Sequence, residues 1–139
     1  MRALLLVFVL LVALPVTAAE KIDDGMRAAV AGVIERQIEA FRRDDGAAAF
    51  GLASPGIQRS FGSSEAFMKM VIEGYRPVYR PRRVQFLDLV EEDGRLIQRV
   101  LVEGPDGNLY MALYPMIRME DGSWRTDGCY LLRQPGRGA

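Results

Sequence analysis

The chain has 139 residues with 18 basic and 18 acidic side chains, no histidine and one cysteine, Cys129. The lack of histidine excludes nucleophiles activated by an imidazole base and His-based zinc sites, and a lone cysteine excludes an intramolecular disulfide. Balanced charge leaves no electrostatic footprint for nucleic acid, so none is expected as a partner.

Met1-Arg2, the apolar run Ala3 to Leu14 and the small-residue stretch Pro15-Val16-Thr17-Ala18-Ala19 have the layout of a cleavable secretory signal. A retained anchor would need about 20 apolar residues, and this run meets Pro15 early. Thr17 and Ala19 suit cleavage before Glu20; Val16 and Ala18 allow it one residue earlier. Removing Met1 to Ala19, which holds only Arg2 among charged residues, leaves 120 residues with 17 basic and 18 acidic groups, net charge −1. That length suits one α+β domain over residues 20–139, periplasmic or secreted, with no stable membrane anchor after cleavage. In an oxidising compartment an unpaired cysteine is expected to be buried, and Cys129 sits in a strand-like run.

From Ile22 to Arg43, the apolar residues Met26, Val30, Val33, Ile34, Ile38 and Phe41 recur every three or four positions, which predicts one long amphipathic helix capped by Asp23 or Asp24. A short second helix is predicted from Ala47 to Leu52 or Ala53, ended by Ser54-Pro55-Gly56. Ser63 or Ser64 caps a third, Glu65 to Gly74. The second half changes period. Asp93-Gly94, Asp106-Gly107 and Asp121-Gly122 separate apolar runs as hairpin turns, because Asp and Gly tolerate positive φ. They predict four antiparallel strands in a meander: Arg82 to Val90, Arg95 to Glu103, Asn108 to Arg118 and Trp124 to Arg133. In the third, Leu109, Met111, Leu113 and Ile117 occupy one face and Tyr110, Ala112, Tyr114 and Met116 the other. Two apolar faces both need cover, and a homodimer through the open sheet face is one way to supply it.

A long helix, two short helices and a curved four-stranded meander resemble the cone-shaped roll of the nuclear-transport-factor-2-like superfamily. Gln37-x-x-Ala40-Phe41, Asp45, Ala49-Phe50, Ala53-Ser54-Pro55, Phe61 and Trp124-x-x-x-Gly128-Cys129-Tyr130-Leu131 resemble, across nearly all of the mature chain, an exported bacterial family known as domain of unknown function 4864. The resemblance implies a fold and no activity.

Three groups of residues are site candidates. Arg76, Arg80, Arg82 and Arg83 lie in a proline-stiffened segment between the helical half and the sheet, able to hold an anion or to serve as a solvated connector. Asp88, Glu103 and Asp127, with Tyr110, Tyr114 and Tyr130, are the acids and phenols that a histidine-free isomerase or dehydratase in such a roll would draw on; Asp88, Asp127 and Tyr114 are the catalytic candidates. Met68, Met70, Met116 and Met119 offer thioethers, but Met68 and Met70 point in different directions on a helix and read as core filling. No phosphate loop, Cys-x-x-Cys pair or calcium loop occurs, so no cofactor or metal is expected. The leading expectation is a non-catalytic exported domain that binds a small apolar ligand or a protein partner. The alternative is the acid-base enzyme, which requires one of those acids buried in a pocket within reach of a tyrosine hydroxyl.

Overall fold

A computed structural model describes residues 21–136. The signal reading of Met1 to Ala19 concerns residues outside that range. The elements run α1 (Asp24–Arg42), α2 (Gly46–Gly51), α3 (Pro55–Phe61), α4 (Ser64–Gly74), α5 (Arg76–Tyr79), β1 (Arg83–Glu92), β2 (Arg95–Glu103), β3 (Leu109–Arg118), β4 (Trp124–Thr126) and β5 (Tyr130–Arg133). The fold is α+β, an open antiparallel sheet with helices packed on one face.

Asp23 caps α1, its carboxylate accepting the Met26 amide at 2.7 Å. The predicted apolar stripe is the packed face: Val30, Val33, Ile34 and Ile38 lie against Val100, Val102, Ala112, Tyr114 and Met116 of β2 and β3. Each aliphatic side chain withdrawn from water in this way contributes roughly 1.5–3 kcal/mol. A second cluster joins the helices to one another, with the Phe67 ring centroid 5.4 Å from that of Phe50 and 5.6 Å from that of Phe61. Here α2 and α4 approach so closely that a Cβ on Gly46 would lie 2.7 Å from Met68 Cγ.

Two short helices, α3 and α5, occur where the sequence suggested loops. Proline stands in the first turn of each, where its missing N–H leaves nothing unpaired and its fixed φ suits the helix. Ser54-Pro55-Gly56 thus ends α2 and begins α3.

The meander has the predicted order, with β1, β2 and β3 side by side. Asp93 (φ 49°) and Gly94 (φ 77°) form the two-residue turn between β1 and β2, both in the left-handed region. Between Phe86 and Leu89 the register shifts, so that Leu87 and Asp88 together oppose Arg99. The buried Gln98 amide serves this bulge, donating toward the carbonyls of Leu87 (3.1 Å), Asp88 (3.3 Å) and Arg99 (3.0 Å).

The predicted fourth strand is broken. β4 pairs with β3 through Met116↔Thr126, and β5 pairs with the same edge through Leu113↔Tyr130. Between these pairs, Tyr114 and Pro115 face three residues, Asp127, Gly128 and Cys129. One extra residue makes a bulge, with Gly128 at φ 115°. Pro115 fits here because its carbonyl accepts the Asp127 amide at 2.8 Å. Its nitrogen has no hydrogen to return to that partner, a loss that an interrupted stretch of ladder accommodates.

The sheet's inner face carries Ala112, Tyr114 and Met116 under α1. Its outer face carries Leu109, Ile117 and Leu132, of which Leu132 is 52% exposed, while Tyr130, at the start of β5, is 61% exposed. The expectation that both faces of the third strand are covered therefore holds for one face of the single chain and not for the other. No helix among the described residues is long and apolar enough to cross a membrane.

Candidate functional site

The displaced residues Asp127, Gly128 and Cys129 form one wall of a cavity of about 350 Å³ between sheet and helices. Gln37 and Phe41 come from α1, Ile57 and Phe61 from α3, Phe67, Met70 and Val71 from α4, and Val78 from α5. Tyr75, Tyr114 and Tyr130 complete the lining with Ala53 and Thr126. The volume lies at the small end for ligand pockets, and the lining is mainly apolar with a few polar groups, the usual composition of such sites.

The cavity exists because its corners are fixed. Buried Gln37 donates from its amide to the Ala49 carbonyl at 3.1 Å, tying α1 to α2. Ser54, 1% exposed, accepts the Ile57 amide at 3.2 Å as the cap of α3 and donates to Asp127 Oδ1 at 2.6 Å. Its backbone amide donates to the Thr126 carbonyl, and the Thr126 amide donates to the Leu52 carbonyl. The α2–α3 junction is thereby pinned to the end of β4.

Within this lining, the Tyr114 hydroxyl is fully enclosed and, among the described residues, is the buried side-chain polar atom with no hydrogen-bond partner. The Cys129 thiol lies near it without hydrogen-bond geometry. Burial pushes the Tyr114 phenol well above its ordinary pKa, reinforced by Cys129. Burial also pushes the Cys129 thiol up to about 12, the Tyr114 hydroxyl acting the other way. Half-buried Tyr75 is raised by burial and then by Cys129 and Tyr130. The thiol and the phenols of Tyr75 and Tyr114 are neutral donors at ordinary pH.

Asp127 is the acid in this lining. Ser54 holds its Oδ1, and Arg95 holds Oδ2 at 3.0 Å. The structure brings Asp127 and Tyr114 to one cavity but puts no tyrosine hydroxyl on the carboxylate. Asp88 lies elsewhere, at the β1 bulge, paired with Arg99 at 2.7 Å. Glu103 pairs with Arg83 at 3.4 Å, and Tyr110 donates to Asp106 at 3.1 Å.

The four arginines of the connecting segment serve separate places. Arg80 works within the fold: it donates to the Phe41 carbonyl at the end of α1, pairs with Asp44 at 3.0 Å and stacks 3.9 Å over the Tyr79 ring. Tyr79 donates to the same carboxylate, and these contacts hold the Asp44 pKa below its ordinary value, Tyr79 foremost. Arg83 faces Glu103, Arg82 lies beside the Gly107 turn, and Arg76 is exposed next to a groove lined by Glu73 and Asp106.

Sequence reasoning missed Ser54, Gln37 and Tyr75 as parts of the site. Ser54 preceding Pro55 is a capping signal that marks the helix start; nothing in the spacing brings Tyr75 to Cys129. Met70 lines the cavity, and Met68 packs against Gly46. No curated protein and no solved structure matches the chain. One family model matches residues 24–139, and the chain belongs to that family, described as Domain of unknown function (DUF4864).

Proposed function

We propose that this chain is an exported, non-catalytic binding domain that takes a small, largely apolar ligand into the cavity between sheet and helices. The observation that carries the reading is the cavity itself, about 350 Å³ walled by Phe41, Ile57, Phe61, Phe67, Met70 and Val71. A recess walled mainly by apolar side chains presents apolar surface to water, which a bound apolar ligand would cover. The arrangement of a long helix on an open antiparallel meander also supports kinship with the nuclear-transport-factor-2-like rolls, and the signal layout of Met1 to Ala19 supports export. Binding is preferred to acid-base catalysis because both carboxylate oxygens of Asp127 are occupied by Ser54 and Arg95. In the same reading, a second copy covers the outer sheet face at Leu109, Ile117 and Leu132. The arginine segment is a structural connector, an anionic ligand there being the lesser reading.

The test is fluorescence titration with Nile red, a neutral apolar dye. One saturable site per chain is expected, lost in Ile57→Trp, which fills the cavity, with circular dichroism unchanged. Absence of a saturable site in the folded protein, or equal binding by the filled variant, overturns the reading. Sedimentation equilibrium tests the second copy: a dimer that dissociates on Leu132→Glu is expected.

A further inference from the structure

The cavity lining combines a large apolar set with a few polar side chains. Phe61, Phe67, Met70 and Val71 make an apolar wall of α3 and α4. Tyr75, one helical turn beyond Val71, joins Tyr114 from β3 and Cys129 from the bulge in the same lining, two phenol residues and a thiol residue. Tyr114 is 2% exposed, and among the described residues its hydroxyl meets no partner in hydrogen-bond geometry, the Cys129 thiol lying beside it. An enclosed, unpaired hydroxyl carries a desolvation cost of about 1–3 kcal/mol, which an incoming acceptor relieves. Among the described residues no cationic side chain lines the cavity, and the carboxylate that does, Asp127, is already paired with Arg95. An anion would be buried with no cation of its own in the lining, and a cation would find the Asp127 carboxylate already taken by Arg95.

We propose that the ligand is an uncharged amphiphile: a compact apolar ring or chain against Phe61, Phe67 and Met70, carrying one neutral oxygen acceptor directed at Tyr75, Tyr114 and Cys129. This rests on the reading of the cavity as a ligand site and adds the chemical class of the ligand. Burial keeps the phenols and the thiol protonated, so they act as donors. Seating the acceptor calls for side-chain adjustment at the Tyr114–Cys129 contact, since the Tyr114 hydroxyl is occluded.

Three probes sharing one ring system separate the outcomes: methyl naphthyl ketone, its isostere isopropenylnaphthalene, and naphthoate. Calorimetry or dye displacement on the wild-type protein should show the ketone binding about three- to tenfold more tightly than the isostere, the ratio expected for one net hydrogen bond. Naphthoate should bind more weakly than either. In the Tyr75→Phe, Tyr114→Phe double variant the ketone should lose its advantage to within twofold, while the isostere keeps its affinity. Tyr114→Phe removes an unpartnered hydroxyl and should fold at least as stably as the wild type; the single Phe variants serve if the double variant does not fold. Equal binding of ketone and isostere overturns this inference and leaves the cavity reading standing, as does an advantage that survives both substitutions or tighter binding of naphthoate. Failure of all three to bind the folded protein overturns both.

Discussion

The Ser54 hydroxyl accepts the Ile57 amide at 3.2 Å and donates to Asp127 Oδ1 at 2.6 Å, so one side chain both starts α3 and holds the bulge wall of the cavity. Loss of a serine cap alone costs about 0.5–2 kcal/mol. Ser54→Ala also leaves a half-buried carboxylate short of a donor, and the combined loss should be about 1–3 kcal/mol. Urea unfolding should show a lower midpoint with the slope unchanged. Ser54→Asp should cost more than Ser54→Ala despite being a good cap, because it places a second carboxylate against Asp127.

Gln98 is the corresponding fixture at the other bulge. Its amide is the shared donor for the carbonyls of Leu87, Asp88 and Arg99, in a side chain 3% exposed. Leucine has nearly the same volume and no donor, so Gln98→Leu should cost about 1–3 kcal/mol by leaving those carbonyls less satisfied. Equilibrium denaturation measures this, and hydrogen exchange should show faster opening confined to β1 near Leu89.

Asp44 supplies a pH dependence with a definite sign. Tyr79 and Arg80 hold its folded pKa below the ordinary 3.8, so its stabilisation is complete above that value. It disappears as pH falls through the lowered folded pKa. Asp44→Asn should therefore be less stable than the wild type at pH about 6, and the gap should close toward pH about 2. Salt should shrink the difference at pH 6, since the pair is solvent-exposed.

Cys129 has the opposite signature, at alkaline pH. With its thiol raised from 9.0 to about 12 in the folded chain, the unfolded chain loses its proton first, so stability falls as pH rises through that interval. Cys129→Ala should remove that part of the alkaline loss. Iodoacetamide at pH about 8 should leave native Cys129 nearly unmodified and label it fully after denaturation, as mass spectrometry would show, because the thiolate is the reacting form.

The elements most visible in the sequence were those whose chemistry is local. The stripe from Met26 to Phe41 becomes the buried face of α1, and Asp93-Gly94 takes the two positive φ angles its composition suggests. The Pro55 helix was concealed because the same Ser-Pro-Gly triplet both stops one helix and starts another. The break at residues 127–129 was concealed for a different reason. The alternation of Trp124 to Arg133 carries no mark of an added residue until its partner strand supplies the register. The cavity is a product of that register. Phe61, Phe67 and Met70 each read as ordinary core, and only the tertiary arrangement sets them around a space shared with Tyr75 and Cys129. The outer apolar residues of β3 were read from alternation, while their exposure follows from all five helices being used elsewhere.

The bulge at Gly128 also makes chain length itself a specification. With it, Leu131 packs inward and Leu132 faces out. Deleting Gly128 would set Asp127 against Pro115 and Cys129 against Tyr114, and the pairs Leu113↔Tyr130 and Ala112↔Leu131 would stay as they are. The sheet edge would close without a break while the wall of the cavity straightened. This segment should therefore accept a one-residue deletion as a strand and lose its shape as a binding wall, so the extra residue belongs to the cavity and not to the sheet.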